Sequence, residues 1–507
     1  MDFVLALLSG AFLALSFPKF GHPACAWVAL APLLVAVARR PQSTRRAFSL
    51  GLLTGAIYFA GTLYWLVETM VTFGGLSTPL ATVAAALLIA YLSLFPGFFA
   101  LAQSRLVRVM GRRALLLAPC LWVASEMGRA YLLAGFPWEL LGYSQAGVLP
   151  IAQVASVVGV YGLSAVVASV SAGAAYAILT NGAGRWRAAA AAIALVVAIG
   201  LWGALRLRSS RLTHEGTAVR VAVLQGNILQ DQKWDPAMAG AIMQRYLELS
   251  REAIGRGAEF VLWPESALPQ PYEADAPARE AIQRLARQAH VTLLVGSDRD
   301  EPVRPVDQAK PQVRLYNAAY LVQPDGTTGA IYRKIHLVPF GEYVPFKQLL
   351  FFVGPIVEAV SDFTPGTEPS LLPVNGHQAS TAICYEVIYG SLMRAFVERG
   401  SELLTTITND AWYGRSSAAY QHWQQASLRT IEEGRYLARA ANTGISGFVD
   451  PYGRVLQQSG LFTSAVMTED LRFLAGRTIY SRVGDVAGWA SLAVTLIALV
   501  TTRRRVR

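Results

Sequence analysis

The uneven distribution of charge along this chain constrains its fold more than any motif does. Residues 1 to about 206 are almost continuously apolar, interrupted by short basic loops, and a last apolar run lies near 484–502. Backbone amides in lipid must be satisfied within their own segment, so such runs are read as membrane-spanning helices. Between them, 207–482 reads as an ordinary globular sequence, with 27 Lys and Arg against 28 Asp and Glu. The chain is therefore divided into an N-terminal transmembrane region (1–206), a soluble domain (207–482) large enough for its own core, and a C-terminal span with a basic tail (483–507). A mean hydropathy of +0.37 agrees with embedding.

Location also explains the net charge of +11. Outside 207–482 there are 17 basic residues and 5 acidic ones, so the excess lies in the membrane part. The soluble domain lacks the basic footprint that nucleic acid requires, and that partner is set aside. Candidate spans are 3–17, 24–38, 50–70, 80–103, 114–133, 158–180, 188–206 and 484–502, the first two short for a crossing of about 20 residues. Arg39, Arg40, Arg45 and Arg46, then Arg105, Arg108, Arg112 and Arg113, then Arg185 and Arg187, and finally Arg503, Arg504, Arg505 and Arg507 fall in loops on one side. Short basic loops mark the cytoplasm, which predicts both termini there and the soluble domain outside. Met1-Asp2, with no basic residue before the first apolar run, does not read as a cleavable leader.

Within the soluble domain, strand-like runs (219–228, 259–266, TLLVGS, AAYLVQP, STAICYEV, LLTTITNDAW) alternate with helical patterns at 237–255, 277–289, 390–399 and 417–441. Such alternation predicts an α/β fold with its chemistry at strand ends. The polar stretch 300–311 reads as a surface loop.

Three cysteines are too few for a disulfide framework. Cys25 and Cys120 lie in apolar segments and are read as small core residues. Cys384 ends an apolar run before a helix, a corner where backbone N–H groups and a helix dipole favour thiolate. Glu265 follows Trp263-Pro264, an apolar wall expected to raise its carboxyl toward general-base use. Lys334, inside YRKIHLVPFGEYVP, needs an anionic partner, with Glu265 the candidate and a developing oxyanion the target. A carboxylate, an ammonium and a thiol make a cysteine acyl-transfer site. His336 and His422 show no ligand spacing, so no metal is expected, and no cofactor either.

These three stretches resemble, in order and separation, the Glu-Lys-Cys triad of the nitrilase superfamily, as do NDAWYG (409–414) and RTIEEGRYLARAANTGISG (429–447). The multi-span first half, the single last span, FGEYVP after the lysine and AGFPWELLGY (134–143) are more specific. Together they resemble the apolipoprotein N-acyltransferases of bacterial inner membranes across essentially the whole chain. The resemblance implies a polytopic α-helical membrane region carrying a nitrilase-like αββα sandwich, acting as a monomer in the inner membrane. It also implies a ping-pong reaction. Cys384 takes the sn-1 acyl chain of a phospholipid as a thioester, and the α-amino group of a diacylglyceryl-cysteine apolipoprotein accepts it.

Under the same resemblance, Glu342 would orient Lys334 or bind the amine, and Glu386 would set the electrostatics of the cysteine corner. For each the alternative is a structural ion pair. Trp234 and Tyr385 would line the lipid entrance, or equally belong to the core. Arg429, Glu432 and Arg435 read as a structural network on one helix face. Glu68, Glu126 and Arg129 are the costly residues of the membrane half, with Glu126 and Arg129 expected to pair or to meet a headgroup. Trp138 and Tyr143 fit an interfacial belt, and 340–362 is the candidate lid. Two rivals stand beside this reading: a membrane-tethered amidase with water as acceptor, and a silent assembly module. The first has no need of seven spans, and the second no reason to keep Glu265, Lys334 and Cys384.

Overall fold

The computed structural model describes residues 1–39, 43–133, 135–303, 312–344 and 362–503. Most of the candidate lid (345–361), the loop 304–311, Ala134, Arg40 and Arg504, Arg505 and Arg507 lie outside the described residues. The chain separates into two compact units, Met1–Ser209 with Ser416–Leu428 and Thr478–Arg507, and Ser210–Arg415 with Arg429–Arg477. The second unit thus differs from the expected 207–482 block, because Ser416–Leu428 groups with the apolar helices.

In the first unit, every expected apolar segment is helical. The helices are Asp2–Ala14, a broken stretch from Pro23 to Ala38, Thr44–Leu63 followed by Trp65–Thr72, Thr78–Met110, Ala118–Tyr131, Ala155–Leu179, Ala183–Ser209 and Val486–Arg503. Three described stretches, Thr78–Tyr131, Ala155–Leu179 and Ala183–His214, are long and apolar enough to cross a membrane, and four if the pair bent by 50° at Tyr64 is one span. Thr78–Tyr131 runs 54 residues, roughly 80 Å of helix against a hydrocarbon core of about 30 Å. It is divided at Gly111, whose φ of +64° suits glycine and ends the helix. Asp2, in the first turn of its helix, pairs with Arg39 and Arg46, gathering the chain start and a basic loop at one end.

The second unit is two six-stranded sheets. The strands are β1 Thr217–Gln225, β2 Phe260–Leu262, β3 Thr292–Val303, β4 Gln312–Val322, β5 Thr328–Arg333, β6 Leu372–Val374, β7 His377–Ile383, β8 Leu403–Thr408, β9 Leu437–Ala441, β10 Gly447–Val449, β11 Val455–Gln458 and β12 Ala465–Phe473. One sheet runs β12-β1-β2-β3-β4-β5 and the other β11-β10-β9-β8-β7-β6. The centres are parallel (β1-β2-β3 and β7-β8-β9) and the margins antiparallel. Parallel neighbours need crossovers, supplied by helices Ala239–Gly255 and Ala276–Ala289 in one sheet and Gly390–Glu398 and Ala418–Glu433 in the other. β1 lies against β9 and β4 against β7, so the sheets face each other, and Ala239–Gly255 and Ala276–Ala289 pack on the first sheet. Ile242, Tyr246, Leu249, Ile282 and Leu285 enter one core with Val261, Trp263, Leu293 and Val295, the αββα sandwich.

Three boundaries differ from expectation. The pattern at 417–441 is not one helix: Ala418–Glu433 stops before Gly434 (φ +65°), and β9 follows at Leu437. Arg435 therefore lies beyond the helix, where its guanidinium donates to the carbonyls of Ser401, Glu433 and Gly434, while Arg429 and Glu432 pair at 2.7 Å. Residues 300–303 extend β3 rather than opening a loop. β2 stops at Leu262, although the chain beyond it stays on β3 through Trp263 N–H to Leu294 O (2.8 Å) and Ala267 N–H to Gly296 O (2.8 Å).

Candidate active site

The strands deliver their residues at C-terminal ends, the edge where parallel α/β sheets expose side chains and backbone N–H groups. Glu265 follows β2, Lys334 follows β5, Cys384 follows β7 and Asn409 follows β8. Glu265 is seated by a close backbone approach: a Cβ on Gly296 would stand 2.2 Å from Pro264 O and 2.8 Å from Glu265 Cα. Glycine at 296 is what lets the Pro264–Glu265 turn lie on β3. Trp263 anchors the turn in the core, stacked on Tyr246 at 5.0 Å with its Nε1–H donating to Ser250 Oγ.

The Glu265 carboxylate is held by three donors. Oε1 accepts from Lys334 Nζ (3.1 Å) and Asn317 Nδ2 (2.7 Å), and Oε2 accepts from the Asn409 backbone N–H (2.8 Å). Glu342 repeats the pattern from the other side of the lysine: Oε1 accepts from Lys334 Nζ (2.8 Å) and Asn317 Nδ2 (2.9 Å), and Oε2 from Val338 N–H (2.8 Å). Lys334, 1% exposed, is thus braced between two carboxylates. Burial alone would discharge it, but Glu265 and Glu342 hold its ammonium well above the ordinary lysine range.

Cys384 sits at φ +55°, a left-handed backbone that disfavours residues with a side chain by about 1–2 kcal/mol. Such strain persists only where the surroundings impose it. Here Glu386 does so: Oε2 accepts from Ile383 N–H (2.7 Å), while Oε1 accepts from Ile335 N–H (2.6 Å), His336 N–H (3.1 Å) and Tyr332 Oη (2.8 Å). One buried carboxylate therefore ties the cysteine corner to the loop just past Lys334. Burial pushes the Glu386 carboxyl up to about 7, against the pull of its backbone donors and Lys334.

Two electrostatic expectations are reversed. The Glu265 carboxyl is not raised: burial works upward, but Lys334, Lys233 and Asn317 override it and leave the group below the usual carboxylate range. The Cys384 thiol is not activated at rest: burial, then Glu265 and Asp410, push it well up, with Lys334 pulling the other way. The apolar wall and the corner were visible in sequence, whereas the charges that act on Glu265 and Cys384 were brought in by other segments. An ionised carboxylate beside a protonated thiol is an arrangement for base-assisted attack, in which proton transfer and Sγ–C bond formation proceed together.

Tyr385 is buried against Tyr389, ring centroids 5.4 Å apart, whereas Trp234 is half-exposed beside Lys233. Sequence reading missed Asn317, Asn409 and Lys233. Asn317 lies mid-strand in β4, and only the pairing of β4 with β5 brings it to Lys334. In the helical unit, Glu126 and Arg129 do not pair with each other. Glu126 Oε1 accepts from Trp122 Nε1 and Leu141 N–H, and Arg129 donates to the carbonyls of Phe136, Trp138 and Glu139. Glu139, also missed, is buried at the same loop. Cys25 and Cys120 are partly exposed rather than core.

Residues 9–173 match the apolipoprotein N-acyltransferase N-terminal domain, and 220–478 match the carbon-nitrogen hydrolase domain. An apolipoprotein N-acyltransferase of Geobacter metallireducens is 38% identical over 99% of this chain and 96% of its own length. That of Methylococcus capsulatus is 35% identical with the same coverage. Among solved structures, an amidase from Nesterenkonia sp. AN1 aligns with 51% of this chain and 94% of its own at 22% identity, with a TM-score of 0.38. Matched end to end by such relatives, the chain belongs to the apolipoprotein N-acyltransferase family.

Proposed function

We propose that this protein N-acylates lipoproteins, with phospholipid as the acyl donor and Cys384 as the carrier. Glu265 removes the thiol proton as Sγ attacks the carbonyl carbon of the sn-1 ester. Lys334 and a backbone N–H hold the tetrahedral oxyanion. On collapse the ester C–O bond breaks, the proton passes from Glu265 to the departing oxygen, and lysophospholipid leaves a thioester on Cys384. The α-amino group of an S-diacylglyceryl cysteine then attacks the thioester. The C–S bond breaks, Sγ recovers a proton through Glu265, and a triacylated N-terminus is released.

The observation that carries this reading is the rigid placement of Glu265. Three donors hold an ionised base next to a thiol that is protonated at rest. A thiol of that kind cannot attack an ester unaided, so the base is required in the bond-forming step. In the resting site the oxyanion partner, Lys334, is occupied by two carboxylates and stays charged. Glu342 orients the lysine and Glu386 holds the cysteine corner. Trp234 and Tyr385 belong to the route of the acyl chain, and the protein works as a monomer. The basic loops put both termini in the cytoplasm and the sandwich on the outer face of the bacterial inner membrane, where both lipid substrates are available.

Intact-mass spectrometry of the purified protein incubated with phospholipid and no acceptor tests the proposal. The expected result is one added acyl chain, lost on hydroxylamine treatment and absent from Cys384→Ala. An unmodified protein that hydrolyses amides would instead favour the tethered amidase.

A further inference from the structure

Lys233 is a buried charge near this site that the mechanism above leaves idle. It closes the short helix Gln230–Lys233 after β1 and is only 3% exposed. Its Nζ donates to the main-chain carbonyl of Glu265 at 3.2 Å and stands 5.3 Å from the centroid of the Trp234 ring. The helix is knitted to the same base by a second route. Gln230 Oε1 accepts from Asn409 Nδ2 (2.8 Å), Asn409 N–H donates to Glu265 Oε2, and Asn442 Nδ2 donates both to Asn409 Oδ1 (3.0 Å) and to Ile228 O (2.7 Å).

Lys334 already faces two carboxylates, Glu265 and Glu342, at their Oε1 atoms. Lys233 adds a second buried cation, held on the main-chain carbonyl of Glu265 rather than on its carboxylate. An isolated buried ammonium is costly, so a chain that keeps one here gains something from it at the site. We propose that Lys233 is a positioning residue for the base, fixing the Glu265 main chain and holding its side chain in the carboxylate form from which it can accept the Cys384 proton. This deepens the acyl-transfer reading and rests on Glu265 as its base.

The groups that face Lys233 are Glu265, Asp298 and Cys384, and burial outweighs their pull, lowering its ammonium to about 8. Asp298, which accepts from Ser266 Oγ at 2.9 Å, is raised by burial to about 6. Glu265 in turn faces Lys334, Lys233 and Asn317. Loss of the Lys233 cation therefore moves the Glu265 carboxyl upward.

The test is the pH dependence of Cys384 modification by a small uncharged thiol reagent in the full-length protein without lipid. It reads the base and the thiol directly, so it stands whether or not an acyl adduct forms. In Lys233→Met the acidic limb is expected to move up by about one pH unit, with the reaction slowed up to about tenfold on the acid side of the wild-type limb and little changed well above it. In Lys233→Arg, which keeps the positive charge, the limb stays where it is in wild type. Should Lys233→Met not fold, Lys233→Gln takes its place with the same shift expected, and an unmoved limb in it overturns the proposal. A folded Met variant with the wild-type limb, or Met and Arg variants equally slow with unmoved limbs, also overturns it and makes Lys233 a structural contact.

Discussion

Both units bury carboxylates, but they satisfy them differently. In the sandwich, Glu265, Glu342 and Glu386 accept from ammonium, amide and backbone donors gathered from several strands and loops, and each bond fixes a residue at the catalytic corner. In the helical unit, Glu126 and Glu139 lie on the last helix of a pair and on the loop after it, and Arg129 spends its guanidinium on loop carbonyls. The polar groups of the first unit hold a chain turn in place. Those of the second hold Glu265, Lys334 and the Cys384 corner in register, so on the proposed function equivalent substitutions should have unlike consequences.

The largest contrast is expected from the two central cations. Lys334→Met should lower acyl-adduct formation at least about a thousandfold and also destabilise the sandwich by about 3–5 kcal/mol, because Glu265 and Glu342 lose their shared partner. Arg129→Met should destabilise the helical unit by a few kcal/mol, leaving loop carbonyls unsatisfied, while adduct formation per folded molecule changes little. Thermal unfolding in detergent beside intact-mass kinetics separates the two, and an equal loss of chemistry in both variants would break the comparison.

Next is Glu386→Gln. An amide offers one acceptor oxygen where four donors now converge on two, so the corner at Cys384 loosens. We expect about a 10–100-fold slower adduct with stability lowered by about 1–3 kcal/mol. In the helical unit Glu139→Gln should stay within about 1 kcal/mol of wild type, since its Oε2 accepts no hydrogen bond among the described residues. Chemical denaturation of both variants checks the pair.

Proton affinity sharpens the same point. Because Cys384 is pushed above the ordinary thiol value, folded protein at pH 7 should hold less thiolate than free cysteine. Where base assistance is removed, as in Glu265→Gln, modification should be slow and rise about tenfold per pH unit through pH 9. A plateau below pH 8 in that variant would mean a resting thiolate. The smallest effect belongs to the surface: Arg284→Ala breaks an exposed pair with Glu280 and should cost no more than about 0.5 kcal/mol.

The candidate site was legible because each of its three residues stands in a local context with its own physical meaning: a carboxylate behind Trp263-Pro264, a lysine inside an apolar run, a thiol at the end of a strand. The helix limits around 417–441 were not legible. A continuous helical periodicity hides the stop at Gly434, and the strand that follows is stabilised by pairing with β8 rather than by its own sequence. Asn317 shows no motif, since one asparagine on an alternating strand is ordinary until β5 is laid beside it. Lys233 and Glu139 carry no mark in the sequence, because burial cannot be read from a polar neighbourhood.

By itself the sequence determined the division into apolar and globular parts, the apolar segments that are helical and the choice of Glu265, Lys334 and Cys384 as candidates, all consequences of local composition and short spacing. Only the tertiary structure decided which charges meet. A carboxyl or thiol takes its proton affinity from groups within a few ångströms, and at this site those groups come from strands separated by tens to hundreds of residues. That is why Glu265 emerged as an ionised base and Cys384 as a protonated thiol, each opposite to what its own neighbours in the chain suggest.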